Sequence, residues 1–238
     1  MSKRAVILAG GKGSRLRPYT VVLPKPLMPV GDYPVLEIII RQLAHFGFDH
    51  ITLTVNHQAD IIRAFFGDGS KWNIHIDYSL EDRPLSTMGP LKLIPDLPAE
   101  FLVMNGDVLT DMDFAAFHEH HCRNGKIFTI SAHHRTDVSE YGVLQTDVNH
   151  QLTGFIEKPR REYVVSMGVY MARREILDYI PSGRAFGFDH LMLELLEKSV
   201  PVEVTPHAGY WLDIGRPDDY MVAIEEFERS RKQFLPWE

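Results

Sequence analysis

Ala5-Val6-Ile7-Leu8-Ala9-Gly10-Gly11-Lys12-Gly13-Ser14-Arg15-Leu16 is the stretch on which the reading of the fold turns. A short apolar run that passes straight into glycines reads as a buried strand ending in a tight turn. There, backbone N–H groups can approach an anion without a Cβ in the way. Arg15, and Lys25 in Leu23-Pro24-Lys25-Pro26-Leu27, supply cations beside that turn, so the segment reads as a polyphosphate site or, equally, as a tight strand-to-loop turn with surface cations. Two rival motifs fail on the letters. A dinucleotide fingerprint needs glycine at the sixth place from Gly11, where Leu16 stands, and a P-loop needs a Gly-Lys-Ser/Thr string that does not occur. The apolar run is also too short for a signal-peptide core or a membrane span, which leaves a cytoplasmic location as the expectation.

Outward from this turn, apolar runs at Ile51–Val55, Ile74–Tyr78 and Phe101–Met104 read as further strands. Helical periodicity falls between them. Val35–Phe46 places Leu36, Ile39, Ile40 and Leu43 on one face, and Gln58–Phe66 does the same with Ile61, Ile62, Phe65 and Phe66. Strand-helix alternation predicts an α/β fold with a parallel sheet and right-handed crossovers. After Asp113 the texture becomes that of a mixed sheet. A helix at Phe114–Cys122 is followed by strands at Ile127–Ser131, Val143–Thr146, Leu152–Glu157 and Val164–Met171. Helices at Arg173–Tyr179, Phe188–Lys198 and Pro217–Lys232, with a strand near Val202–Thr205, complete the expectation. No linker or repeat divides the chain, so one domain over 1–238 is expected, with a nucleotide half (1–112) and a second-substrate half (113–238).

With 238 residues, 45% of them hydrophobic and 24% charged, the chain is of a size to fold without a metal or disulfide staple. Its net charge of −7 argues against a general nucleic-acid binder. Cys122 is the only cysteine; it points to a reducing compartment and reads as a small buried or half-buried hydrophobe.

Carboxylates carry the next signal. Phe101-Leu102-Val103-Met104 ends in Asn105-Gly106-Asp107, and the carboxyl end of a parallel strand is where open α/β sheets bind ligands. Asp213, after Tyr210-Trp211 and before Ile214-Gly215, could be held over the same cleft. Two carboxylates with phosphate oxygens suit Mg²⁺, which takes few protein ligands and keeps its waters. On spacing alone each aspartate reads first as a cap or turn residue. Asp113 reads as an N-cap without chemistry, and Asp111 as a cap or a neighbour of the ligand or metal. The string His118-Glu119-His120-His121 lacks zinc-protease spacing and reads as a solvated helix face, while His45, His57, His133 and His134 have no partner at ligand spacing.

Taken together, the glycine turn with Pro24-Lys25-Pro26-Leu27, Asn105-Gly106-Asp107, Glu157-Lys158-Pro159 and Trp211-Leu212-Asp213-Ile214-Gly215 resembles the sugar-1-phosphate nucleotidyltransferase family, in family order over nearly the whole chain. The resemblance implies a Rossmann-like, doubly wound, mostly parallel sheet with a mixed-sheet sugar half. The reaction it implies converts NTP and a sugar 1-phosphate to NDP-sugar and pyrophosphate. It assigns Leu8, Ala9, Gly10, Gly11 and Gly13 to the nucleotide, Arg15, Lys25 and Asp107 to catalysis, and Asp107 and Asp213 to Mg²⁺. Gly142, Glu157, Lys158, Ser166 and Gly168 fall to the sugar phosphate; Ser166 stands where the family often has asparagine.

Pro84-Leu85-Ser86-Thr87-Met88-Gly89-Pro90-Leu91 is similar to the Gly-Thr-Ala-Gly-Pro-Leu stretch of mannose-1-phosphate guanylyltransferases, with Ser86 and Met88 as departures. Thr87 and Gly89 are accordingly expected to read a guanine, and Thr87 equally to sit near a helix cap. A guanylyltransferase for mannose 1-phosphate or manno-heptose 1-phosphate is the leading expectation. A uridylyl- or thymidylyltransferase for another sugar, including an amino sugar, is the runner-up, and a non-catalytic nucleotide-sugar-binding regulator the alternative of another class. The absence of a hexapeptide repeat after Trp211 points away from a bifunctional acetyltransferase. The expected partners are the two substrates, with no nucleic acid or membrane, and a homodimer stays open.

Overall fold

The computed structural model describes residues 2–56 and 58–238, so the reading of His57 lies outside the described residues. Its first strand, β1 (Lys3–Leu8), buries Ala5, Val6 and Ile7 completely. Its side chains alternate between two cores, Ala5 and Ile7 in one and Val6 in the other, as a strand covered on both faces requires. In chain order follow β2 (Pro29–Val30), β3 (Tyr33–Pro34), α1 (Val35–His45), β4 (Phe48–Val55), α2 (Ala59–Phe66), β5 (His75–Leu80), β6 (Glu100–Asn105) and β7 (Val108–Thr110). The remainder comprises α3 (Phe114–Asn124), β8 (Phe128–Val138), β9 (Val143–Thr146), β10 (Leu152–Ile156), β11 (Arg160–Arg173), α4 (Phe188–Glu197), β12 (Glu203–Pro206), β13 (Trp211–Asp213) and α5 (Pro217–Phe234).

Seven strands form one sheet in the order β12-β8-β11-β6-β1-β4-β5. The pairs β6-β1, β1-β4 and β4-β5 are parallel, as the strand-helix alternation predicts. β11 is antiparallel to both β6 and β8, which makes the other end of the sheet mixed. α1, α2 and α3 cover one face, α4 the other, and α5 closes a third core in which Tyr220, Phe227 and Phe234 pack on Leu16, Met28, Val35 and Ile38. Residues from both sides of the 112/113 boundary therefore share one sheet and one core.

Several expectations are corrected. α1 buries its predicted face, but α2 buries only Ala59, Ile62 and Phe66; Ile61 and Phe65 are exposed, because an eight-residue cover presents one narrow stripe to the sheet. β8 and β11 run well beyond their apolar cores into polar, exposed stretches where periodicity gives no sign of a strand. Their pairing is interrupted between Ser166 and Tyr170, where Gly168 adopts φ +73°, a left-handed conformation that suits glycine. Arg173 belongs to β11, and the helix expected there is a 3-10 helix at Arg174–Tyr179.

α3 is capped by Asp113, whose carboxylate accepts the Ala116 N–H at 2.8 Å. Its buried face is Phe114, Phe117 and His121, so His121 is not on a solvated face; it lies in the interior with Nδ1 2.7 Å from Thr129 Oγ1. Burial pushes its pKa down to about 4. Cys122, one position and about 100° further round the helix, is exposed rather than buried, and donates to Glu100 at 2.6 Å. Among the described residues no helix is long and apolar enough to cross a membrane.

Candidate active site

β6 ends at the carboxyl edge of the parallel strands, and the turn Gly106-Asp107 carries the chain into β7. The Gly106 N–H donates to the Leu8 carbonyl at 3.1 Å, which ties this turn to the glycine loop. β13 then pairs antiparallel with β7, Asp213 opposite Val108, and the Ile214 N–H donates to the Asp107 carbonyl at 3.0 Å. Two aspartates far apart in sequence are thereby set side by side. The ladder is three residues long, too short to announce itself by periodicity.

Charge accumulates there. Lys25 forms an ion pair with Asp107 Oδ2, while Asp107 Oδ1 is buried and has no partner. Burial and the neighbouring Asp107 push the Asp213 carboxyl up, and Lys25 and Arg15 only partly offset this. Arg15 and Asp213 both flank Gly215: a Cβ built there would lie 3.7 Å from the guanidinium carbon and 3.4 Å from Asp213 Oδ2. An orphaned carboxylate oxygen beside a second, disfavoured carboxylate fits an oxygen-seeking divalent cation. A recess of about 40 Å³ lined by Leu8, Ala9, Lys25 and Asp107 has room for a water or an ion.

Two larger cavities flank this pair, one walled in part by each aspartate. One of about 480 Å³ includes Asp107, Asn105, Leu8, Gly10, Gly11, Lys12, Thr54, Asn56, Glu81, Pro84, Ser86 and Thr87 in its walls. The other, of about 500 Å³, contains Asp213, Arg15, Trp211, His133, His134, Arg135 and Arg216. Gly13 lies outside both; at φ +59° it opens the 3-10 helix Ser14–Leu16, and its carbonyl accepts the Thr20 hydroxyl at 2.6 Å.

The remaining expected site residues are less gathered. Thr87 Oγ1 accepts the Phe188 N–H at 2.8 Å, so it does cap a helix, but α4 rather than its own segment. The Gly89 N–H is already committed to the Phe186 carbonyl at 2.9 Å, and Gly89 lies outside the walls of both cavities. Gly142 and Glu157 adjoin each other beside the separate β9-β10 hairpin: a Cβ at Gly142 would lie 3.1 Å from Glu157 Oε2. Glu157 and Lys158 are exposed and also lie outside both cavities. Ser166 Oγ donates to the Tyr170 hydroxyl at 3.1 Å, and Gly168 abuts Asn105. Asp111 lies outside both cavities, held by His207 at 2.9 Å and Gln233 at 2.6 Å.

Three groups escaped the sequence reading. Glu81 accepts the Leu85 N–H at 3.0 Å through Oε2, and its Oε1 would lie 2.8 Å from a Cβ on Gly10, which places the carboxylate over the glycine loop. Burial pushes its pKa up. Thr54, on β4, offers to the same cavity a buried hydroxyl with no partner among the described residues. Arg135, with His133 and His134, comes from the polar extension of β8. The usable signal was an acidic residue directly after a strand, Leu80-Glu81, at the carboxyl edge of the sheet.

A family model described as nucleotidyl transferase matches residues 4–230. The UTP–glucose-1-phosphate uridylyltransferase of Synechocystis sp. is 36% identical over 241 residues, covering 93% of this chain and 62% of that protein. The mannose-1-phosphate guanylyltransferase of Mycobacterium tuberculosis is 32% identical, covering 95% of this chain and 65% of that protein. The chain thus spans less than two thirds of the length of these relatives. Among solved structures, HddC from Yersinia pseudotuberculosis superimposes with a TM-score of 0.74 at 29% identity, covering 94% of this chain and 99% of that one. The same protein complexed with GMP-PN gives 0.72 over the same shares.

Proposed function

The chain belongs to the nucleotidyl transferase family, and from that premise we propose that it transfers a guanylyl group from GTP to mannose 1-phosphate or a related manno-configured sugar 1-phosphate. The convergence of Asp107, Asp213, Lys25 and Arg15, with one aspartate in the wall of each of two cavities, carries this reading. The triphosphate lies along the glycine loop, and the sugar phosphate enters from the Asp213 side. An oxygen of the sugar phosphate attacks the α-phosphorus in line, forming the new P–O bond as the bond to pyrophosphate breaks. The attacking group is already ionised, so the protein supplies neither a nucleophile nor a base. Lys25 and Arg15 offset charge that grows on the phosphate oxygens. Asp107 and Asp213 would hold a divalent cation, Mg²⁺ by the chemistry of their oxygen donors, and when bound it would neutralise phosphate charge.

Base choice is assigned to Glu81. Guanine presents N1–H and N2–H donors on one edge, and a carboxylate accepts both; an unpaired or mismatched group in such a pocket costs selectivity. The relative that is a guanylyltransferase and the neighbour complexed with GMP-PN support this base. The uridylyltransferase relative keeps UTP with glucose 1-phosphate as the second reading. On the sugar side, Lys158, Glu157 and Gly142, beside the hairpin, and Ser166 and Gly168, on β11, are proposed to hold the sugar phosphate while Arg135 faces it across the cavity. We place both steps in one domain, 1–112 holding the nucleotide and 113–238 the sugar phosphate, acting in the cytoplasm. Competition among GTP, UTP, dTTP, CTP and ATP with mannose 1-phosphate, products resolved by mass, tests the proposal. A dominant GDP-sugar supports it, and a dominant UDP- or dTDP-sugar overturns the base.

A further inference from the structure

At the opposite, amino-terminal ends of β4 and β5 lies a cluster that the transfer reaction leaves unused. Parallel pairing sets His50 opposite His75 and Thr52 opposite Asp77, which puts His50, His75 and Asp77 on one face of the two outermost strands. The imidazole centroids are 4.8 Å apart, and His50 Nε2 is 2.8 Å from Asp77 Oδ2. Among the described residues this is the group whose imidazole nitrogens and carboxylate oxygen all fall within 4.8 Å of one another.

We propose that His50, His75 and Asp77 form a transition-metal site, of the Zn²⁺ class, that clips the edge strand β5 to β4 outside the catalytic cleft. Two imidazoles and a carboxylate with an open position are a donor set that such ions accept and Mg²⁺ does not favour. Bonds of roughly 2.0–2.2 Å in a tetrahedral shell put donor atoms about 3.3 Å apart, and the donor atoms here already lie within 4.8 Å of one another.

Charge balance points the same way. The buried Arg4 guanidinium contacts Asp77 Oδ2 at 3.1 Å and Asp96 Oδ1 at 3.0 Å, leaving two carboxylates against one fixed cation. A divalent cation held by the two imidazoles and Asp77 would offset that excess negative charge. Asp77 has capacity for both neighbours, since its Oδ1 is buried and has no partner. Arg4, fixed in turn by two bonds to Thr52 Oγ1 at 3.0 and 2.8 Å, donates to the same Oδ2 that His50 approaches and so fixes the carboxylate's orientation, the kind of outer-shell support metal ligands use. His75 is exposed, which gives an ion a way in. Thr54, four residues along β4 from His50, lines the nucleotide cavity, so the two sites are roughly 13 Å apart along one strand.

The test titrates Zn²⁺ calorimetrically, and Co²⁺ by its visible spectrum, into the whole protein in excess Mg²⁺, which occupies oxygen-donor sites without competing for imidazole. One Zn²⁺ site and a Zn²⁺-dependent rise in melting temperature are expected. His75→Ala and His50→Ala should each weaken that site by about 10-fold or more, with melting in EDTA confirming that the variants fold. Asp107→Asn should retain the site, and His75→Ala should keep its GTP turnover in Mg²⁺. No Zn²⁺ binding under these conditions, or binding unchanged in both histidine variants, overturns the proposal. So does a signal lost only in Asp107→Asn or Cys122→Ser.

Discussion

Glu81→Gln isolates base recognition from catalysis, because it removes a charge while keeping the shape of the side chain. In the wild type Oε2 is occupied by the Leu85 N–H and the carboxylate sits over Gly10 at the wall of the nucleotide cavity. Hydrogen bonds to a charged group contribute roughly 1.5–3 kcal/mol each, and guanine would direct two donors at this carboxylate. In the amide one terminal atom must remain an acceptor for Leu85, which turns the NH₂ toward the guanine donors. The loss of one charged bond and the mismatch at the other sum to about 3–4 kcal/mol, or roughly 10²–10³ in kcat/KM for GTP. Uracil carries one donor and an adjacent acceptor, so an amide suits it better than a carboxylate does. The GTP/UTP ratio of kcat/KM should therefore collapse by at least about 10². The folded state should not suffer, since burial already disfavours the Glu81 charge. Initial rates of pyrophosphate release with each nucleotide, alongside a melting curve, measure both quantities. An unchanged GTP/UTP ratio in a folded variant would refute the assignment of base choice to Glu81.

His121 binds its proton only near pH 4 in the folded protein, against about 6.5 in the unfolded chain, so the unfolded state takes up more protons between those values and stability falls as pH drops through them. The span corresponds to roughly 3 kcal/mol, and urea unfolding from pH 7 to 4.5 should show a smaller acid loss in His121→Gln than in wild type. Gly168→Ala forces a left-handed backbone on alanine and drives a Cβ to 2.5 Å from Asn105 Nδ2, so stability should fall by about 2–4 kcal/mol, read by denaturant unfolding. Lys158→Ala should raise the sugar-phosphate dissociation constant more than that of GTP, whereas Lys25→Ala should lower turnover of the bound complex; single-turnover kinetics with both ligands varied separates the two.

Much of this arrangement is legible in the sequence because burial on both faces writes itself as continuous apolar runs. β1, β4 and β6 and the apolar face of α1 follow from that pattern, and the glycine turn after β1 follows from its letters. What stays hidden depends on pairing at a distance. Nothing local to Trp211-Leu212-Asp213 says that it lies against Val108-Leu109-Thr110, yet this short ladder joins the two aspartates. The polar halves of β8 and β11 are strands only because they pair with each other. His121 shows the converse error: a polar letter among polar letters is buried because its phase matches Phe114 and Phe117. Glu81 was passed over for a related reason, since an acidic residue after a strand reads as a loop until the opposing glycine turn is in place.

The most direct test of the account asks whether Asp107 and Asp213 act as one site. The measurement is the initial rate of pyrophosphate release from GTP and mannose 1-phosphate over a Mg²⁺ titration, for wild type, Asp107→Asn, Asp213→Asn and the double variant. Each single variant should lose about 10²-fold or more in turnover, and the double variant little beyond the worse single one, because either loss removes the shared cation site. Near wild-type release by Asp213→Asn, or full activity of the wild type in EDTA, would contradict it.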